Sequence, residues 1–463
     1  MRFERLSTNR ILVTNFVGEH VVLEPREFEL LTKLELDGHD PLTRRLRALH
    51  LIQEEGDTLP AELLALKTRT RLYRLSEFTG LHMFVVTLRC EHSCQYCQVS
   101  RQNTSTTAFD MSPESASQAL DLVFRSPSQT LKIEFQGGEP LLNWPMVEHI
   151  VVEAVKRNID DRDLQFVVAT NLALLDERVL DFSDQYGISF STSLDGPREL
   201  HNRNRPRPGS DSWERTIQGI DLIRSRLGRD RVSALMTTSI HSLANVRQIV
   251  DTYVEHGLTD IFLRPLSPYG FAARRGSTYA IDSEQWMQFY VDGLDYIIEL
   301  ALSGVEITER YAAIILHKIL TNGDPGYVDL ASPSGIGIRA LLYNYDGAVY
   351  ASDEGRMLAE MGDQTFRLGH VGTNTYQEIL LSEALLAPLE DSFTGSVPMC
   401  DECAYESWCG SDPVFHHTTS GDFVGRKPES VFCRRNMTIF QALLDRYHRD
   451  PATRDLFRRW ANR

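Results

Sequence analysis

Strand-like apolar runs alternate with helix-period segments through the middle of this chain. Residues 82–89, 131–136, 164–170, 187–193, 231–237 and 260–266 read as strands, with Leu131, Ile133 and Phe135 on one face of the second. Between them, 112–126, 143–158, 176–186, 212–227 and 243–256 carry a helical period. Trp213, Ile217, Ile220 and Ile223 mark the inner face of one such helix, and Ser112-Pro113-Glu114 supplies a cap, a first-turn proline and an early acid for another. Repeated β/α units of this kind predict an α/β fold, an open, partial (β/α)6 barrel with parallel strands. In such barrels the reacting groups belong at the C-terminal ends of the strands.

The flanks have a different rhythm. Arg10–Thr14 and His20–Glu24 are β-rich runs around Asn15-Phe-Val-Gly18, a hairpin signal. Pro25 opens a helix with Phe28, Leu31 and Leu34 on one face. A second helix follows Asp40-Pro41 with Leu42, Leu46 and Leu49, and a third spans 61–76. This set predicts a winged-helix-like domain over 1–76, ahead of a barrel at 77–280. Helices at 284–303 and 308–321 predict a bridge over 281–325. A final domain over 326–463 holds a hairpin at 341–351 around Asp346-Gly347.

With 463 residues the chain exceeds one ordinary core, which agrees with several domains. Its 42% hydrophobic and 24% charged residues are those of a soluble globular protein. No apolar run approaches the ~18 residues of a spanning helix, and Met1-Arg-Phe-Glu-Arg-Leu has no signal-peptide core. A cytoplasmic protein without a membrane partner is the expectation. Lys+Arg 48 against Asp+Glu 64 leaves −16, which disfavours nucleic acid as a partner. Seven cysteines cannot all pair, and they cluster at 90/94/97 and 400/403/409/433. Clustered cysteines in a reducing compartment point to metal ligation.

The chemistry concentrates where the barrel strands end. Cys90-x3-Cys94-x2-Cys97 follows the first strand. Three thiolates on a [4Fe–4S] cluster leave one iron open to a small molecule; the same spacing also lines three cysteines on one helix face. After the second strand, Gln136-Gly137-Gly138-Glu139-Pro140 pairs glycines that permit close backbone approach with a carboxylate that can accept from an ammonium. Thr170-Asn171 ends the third strand. Ser191-Thr-Ser193-Leu-Asp195-Gly-Pro197, then His201 and Arg205, follow the fourth, where Ser193 can bond a ribose or carboxylate and Arg205 can pair with a carboxylate. Cys400, Cys403, Cys409 and Cys433 form a second set, open to zinc or to an iron–sulfur cluster.

The cysteine loop, with Tyr96 before its last cysteine, resembles the radical S-adenosylmethionine (SAM) superfamily. Gly137–Pro140, Ser193, Asp195-Gly-Pro and Arg205 resemble its sulfatase- and peptide-maturase branch, and the C-terminal cysteines resemble that branch's auxiliary-cluster (SPASM) domain. The resemblance, including Tyr343-Asn-Tyr-Asp-Gly and Asp353-Glu-Gly-Arg-Met357, is strongest to the His-Xaa-Ser system radical SAM maturases. It implies a SAM-binding [4Fe–4S] cluster on Cys90, Cys94 and Cys97. Tyr96, Gln136, Gly137, Gly138, Glu139, Pro140, Ser193 and Arg205 then contact SAM, with backbone at 262–266 beside the adenine. It implies one auxiliary [4Fe–4S] cluster on Cys400, Cys403, Cys409 and Cys433, since Ser332, Ser352 and Pro413 stand where a second would need cysteines. Asp353 matches a general base. The implied reaction is reductive cleavage of SAM to a 5′-deoxyadenosyl radical that modifies a ribosomally made precursor peptide, of the His-Xaa-Ser type by the subfamily match. A flavodoxin or ferredoxin would donate electrons, and residues 1–76 would hold the peptide's leader by strand addition. Two rivals stay open: an iron–sulfur redox sensor whose winged helix binds DNA, and a zinc-stabilised peptide-binding scaffold.

Overall fold

The structure is a computed structural model that describes residues 1–270, 281–321 and 323–463. The predicted end of the barrel, at 280, lies outside them. Five parallel strands form its centre: β4 (Leu81–Thr87), β5 (Thr130–Gly137), β6 (Asp163–Thr170), β7 (Ser189–Ser193) and β8 (Val232–Leu235). Strands covered on both faces read as continuous apolar runs, and β4 is buried from His82 to Thr87. Helices α4 (Pro113–Val123), α5 (Trp144–Arg157), α6 (Glu177–Tyr186), α8 (Ser212–Arg226) and α9 (Val246–Glu255) cover the outside. Their starts are fixed locally: Ser112 Oγ accepts from Ser115 N at 3.1 Å, and Asp176 Oδ1 from Val179 N at 2.9 Å. A short helix, α7 (Arg198–Asn204), was not predicted; it sits in the segment after β7.

The sixth strand differs from expectation. Only Asp260–Ile261 (β9) is strand, and it pairs with β10 (Thr308–Glu309), not with β8. Arg264 N turns back to Phe262 O at 2.8 Å, and Pro265 has no N–H to continue a ladder. Thr238, just past the fifth strand, ties to this segment through its N and Oγ1, both donating to Arg264 O. Helices α10 (Ser283–Leu302) and α11 (Arg310–Thr321) follow, close to the predicted bridge. The sheet instead grows at its other edge. β11 (Ala340–Tyr343) lies parallel to β4, and β12 (Ala348–Tyr350) and β13 (Arg367–His370) continue antiparallel. His82 on β4 is fully buried between Tyr343 Oη (3.1 Å) and Thr79 O (3.0 Å), which bolts this hairpin to the barrel.

At the front, β1 (Arg2–Arg5), β2 (Ile11–Thr14) and β3 (His20–Leu23) form an antiparallel sheet. Helices α1 (Pro25–Thr32), α2 (Pro41–Ala48) and α3 (Leu59–Leu72) come after it. β1 was not predicted, because Arg-Phe-Glu-Arg offers one apolar residue. The module has a small core of its own, including Val13, Val21, Leu31 and Leu46. It docks on the C-terminal cysteine segment: Arg2 pairs with Glu406 (2.7 Å) and donates to Asp401 O (2.7 Å). Thr14 Oγ1 donates to Ala404 O (2.9 Å), and His20 meets the Trp408 ring edge-on. The chain closes with α16 (Val431–Arg449) and α17 (Pro451–Ala461), after short helices at Asp353–Ala359 (α12), Tyr376–Leu380 (α13), Glu383–Asp391 (α14) and Pro413–Ser420 (α15). Among the described residues, no helix is long and apolar enough to cross a membrane.

Burial lowers the His82 pKa to about 4. The unfolded chain therefore binds the extra proton first, and stability should fall as pH drops from about 6.5 towards 4, by up to about 3 kcal/mol from this group. Urea unfolding across that range should show a shallower fall for His82→Gln than for the unaltered chain; identical slopes would remove His82 from the account.

Candidate functional site

The loop that follows β4 is held from several sides. Gly138 N donates to Thr87 O (2.8 Å) and Glu139 N to Arg89 O (2.7 Å). A Cβ on Gly138 would lie 2.3 Å from the Arg89 carbonyl oxygen, so glycine is required there. Arg89 clamps Asp110 through Nε (2.7 Å) and Nη2 (2.8 Å), and Ser93 N donates to Pro206 O (2.8 Å). Arg356, buried on α12, donates to Val99 O at 3.0 Å. So held, Cys90, Cys94 and Cys97 all line one cleft of about 250 Å³. Burial pushes the Cys90 thiol up and that of Cys94 up to about 12. Thiols so placed ionise where a cationic centre compensates them, as metal ligands do.

The remaining walls come from successive strand ends: Gln136, Gly137 and Gly138 from β5, Thr170 and Asn171 from β6, and Ser191 to Ser193 from β7. Arg205 and Tyr96 also line the cleft, as do Asp353 and Met357 of α12. The predicted Tyr96, Gln136, Gly137, Gly138, Ser193, Arg205 and Asp353 thus meet the three thiols. Among the described residues, neither the Ser193 hydroxyl nor the two terminal nitrogens of Arg205 have a hydrogen-bond partner. Asp353 is 3.5 Å from Arg356 Nε.

Glu139 and Pro140, predicted among the contacts, do not line this cleft. Glu139 is fully buried and accepts from Leu141 N (3.0 Å), Thr170 Oγ1 (2.6 Å) and Asn171 N (2.9 Å). Burial, and then the charge of Glu91, push its carboxyl up to about 8. Its side chain braces the next strand end, and Pro140 opens a turn at Pro140–Asn143. Of 262–266, only Arg264 reaches the cleft; Phe262, Pro265 and Leu266 line a neighbouring chamber.

Two buried arrangements behind the cleft escaped the sequence reading. Asp195, with no exposed surface, accepts from Tyr96 Oη (2.5 Å), Arg205 Nε (3.1 Å) and Asn204 Nδ2 (3.2 Å). Ser212 Oγ bridges His92 Nε2 (2.8 Å) and His201 Nε2 (2.9 Å), and His92 Nδ1 reaches Glu91 at 2.9 Å. Both were visible only as a turn-like Asp-Gly-Pro and isolated histidines.

The second cysteine set also converges. Cys400, Cys403, Cys409 and Cys433 line one cavity of about 430 Å³, closed on one side by Phe3 and Glu4 of β1. Burial raises Cys403 to about 12 and Cys400 to about 11. Ser332, Ser352 and Pro413 have local roles: Ser332 Oγ accepts from Thr394 Oγ1 (2.6 Å), Ser352 caps α12, and Pro413 opens α15. The chamber beside Ser352 and Pro413 is lined by Asp329, Glu354 and Asp412 with Arg264 and Arg435.

Residues 84–258 match the family described as the Radical SAM superfamily. The match implies a [4Fe–4S] cluster and SAM. An uncharacterised protein of Methanocaldococcus jannaschii is 28% identical over 184 residues, 40% of this chain and 61% of that protein. The radical SAM cyclopropyl synthase TigE of Paramaledivibacter caminithermalis is 24% identical, over 54% of this chain and 53% of TigE. The chain thus spans only part of these relatives. A cysteine-type anaerobic sulfatase-maturating enzyme of Clostridium perfringens is 22% identical over 69% of this chain and 84% of the enzyme. The structure of native anSMEcpe with bound AdoMet superposes with a TM-score of 0.67 at 18% identity, covering 82% of this chain and all of that one. Streptococcus suis SuiB bound to precursor peptide SuiA gives 0.55 at 13% identity, over 93% and 98%. The fold is the mixed α/β radical SAM fold. None of the comparisons supports the DNA-binding alternative.

Replacing Ser212 with alanine should leave two buried imidazole nitrogens unpaired, at about 1–3 kcal/mol. The metal-free variant should show faster iodoacetamide labelling of Cys90, Cys94 and Cys97. Unchanged labelling and stability would mean that the bridge does not hold the loop.

Proposed function

We propose that this protein is a radical SAM maturase that modifies a ribosomally synthesised peptide. The observation that carries the reading is the convergence, in one cleft, of three loop thiols with a glycine wall, Ser193 and the free nitrogens of Arg205. Cys90, Cys94 and Cys97 would hold the cluster, and with SAM bound it would supply a 5′-deoxyadenosyl radical. The chain's own residues then do the positioning. Gly137 and Gly138 offer a wall without side chains, Ser193 and Arg205 offer donors to ribose and carboxylate, and Tyr96 packs beneath Arg205. Asp353, which lines the cleft, would take a proton from the substrate. Asp353 and Met357 of α12 add to the lining and would help to exclude water.

The peptide reading draws on TigE, the sulfatase maturase and SuiB with its precursor peptide. The His-Xaa-Ser substrate type rests on the sequence resemblance. Residues 1–76 are proposed to capture the leader. Among the described residues β3 pairs only with β2, which leaves an edge suited to an extended peptide, and α3 exposes the apolar Leu59 and Leu66. The four C-terminal cysteines are proposed to hold one auxiliary [4Fe–4S] cluster with no open iron, in a SPASM-like domain. A flavodoxin or ferredoxin would reduce the protein in the cytoplasm.

Anaerobic reconstitution followed by a 5′-deoxyadenosine assay tests the reading. The protein should form the nucleoside, and the Cys90→Ala, Cys94→Ala, Cys97→Ala triple variant should form none while keeping its fold; full activity of the triple variant would refute the assignment. Metal analysis should find about 8 iron atoms per chain. About 4 with one zinc would make the tail a zinc site, and about 12 would overturn the reading of Ser332, Ser352 and Pro413.

A further inference from the structure

Asp195 is joined to three separate parts of the cleft. Tyr96 belongs to the cysteine loop, Asn204 and Arg205 to the segment after β7, and Thr237, whose N lies 3.4 Å from Asp195 Oδ1, to the end of β8. The Asp195 carboxylate has no exposed surface, so none of these bonds is shared with solvent. Burial alone would favour the neutral acid, but the charges of Arg205 and His201 and the hydrogen bonds from Tyr96 and Arg205 together outweigh it, and the carboxyl pKa is lowered. A buried anion is retained where it is paired and hydrogen-bonded.

The geometry at Arg205 gives this hub a direction. Its guanidinium carbon lies 5.3 Å from the centre of the Tyr96 ring, and its Nε is spent on Asp195. A planar guanidinium fixed at Nε and over an aromatic face has one edge left, the pair of terminal nitrogens, in the geometry that takes a carboxylate with two parallel bonds. The residue lines the cleft, and neither terminal nitrogen has a partner among the described residues.

We propose that Asp195 is the positioning residue for carboxylate recognition: it locks Arg205 edge-on to the cleft and, through Tyr96, fixes that receptor relative to the cysteine loop. This rests on the reading of the cleft as a SAM site and goes beyond it. Arg205 alone would offer a charge; Asp195 makes it a fork at a set distance from the three thiols. The selectivity it creates is for a ligand bearing an α-carboxylate over the same ligand without one.

The test uses the reconstituted full chain and two probes, SAM and decarboxylated SAM, with affinities from anaerobic equilibrium dialysis. Asp195→Asn keeps the shape and removes the charge. It should weaken SAM at least tenfold and decarboxylated SAM less than twofold, so that the preference for the carboxylate collapses. Arg205→Lys, which keeps a charge but has no fork, should lose the same preference and carries the test if Asp195→Asn does not fold. Equal losses for both probes would make Asp195 merely structural, and retained preference in either variant would overturn the proposal. If the unaltered protein bound neither probe, the SAM-site reading itself would fall, and this proposal with it.

Discussion

Everything at the cleft depends on how closely the end of β5 approaches the backbone that leads into the cysteine loop. Gly138 N and Glu139 N donate to the carbonyls of Thr87 and Arg89, and there is no room for a Cβ at either Gly137 or Gly138. A Cβ at Gly137 would lie 2.1 Å from Thr87 O. The paired glycines therefore serve the chain first, by letting one strand end pin the loop that starts beside it. Their bare surface then becomes a wall of the cleft. Glu139 extends the same brace to the following strand, since its carboxylate accepts from Thr170 and Asn171. One short peptide thus sets the relative positions of three strand ends.

The C-terminal third is a structural part of the cleft. β11 lengthens the barrel sheet beside β4, and the buried His82–Tyr343 bond crosses that seam. From there α12 brings Asp353 to the cleft and Arg356 to the Val99 carbonyl. The N-terminal sheet in turn docks on 400–408, with Phe3 and Glu4 closing the four-thiol cavity. Contacts therefore run from the front module through the segment of the second cysteine set towards the barrel, which puts the two cysteine sets in one frame.

Much of this was legible because its cause is local. Parallel strands buried on both faces leave continuous apolar runs, so five of six barrel strands were read within a few residues. The cysteine spacing marked the loop. The sixth strand was misread because Phe262-Leu-Arg-Pro-Leu266 is apolar enough for a strand, while Pro265 and the turn at Arg264 stop the ladder. A motif does not reveal which way a side chain points, so the bonds from Thr170 and Asn171 to Glu139 are not legible in Gly-Gly-Glu-Pro. Asp195 was passed over for a related reason: Asp-Gly-Pro is ordinary turn chemistry, and only the fold brings Tyr96, Asn204, Arg205 and Thr237 around it.

The central claim is that SAM binds at the three thiols of the loop after β4 and not at the four C-terminal ones. Electron paramagnetic resonance of the anaerobically reduced protein, recorded before and after SAM is added, tests it directly. The account predicts that SAM alters one component of the spectrum, and that this component is the one lost in the Cys90→Ala, Cys94→Ala, Cys97→Ala variant. A spectrum indifferent to SAM, or a SAM response that survives in that variant, would contradict it.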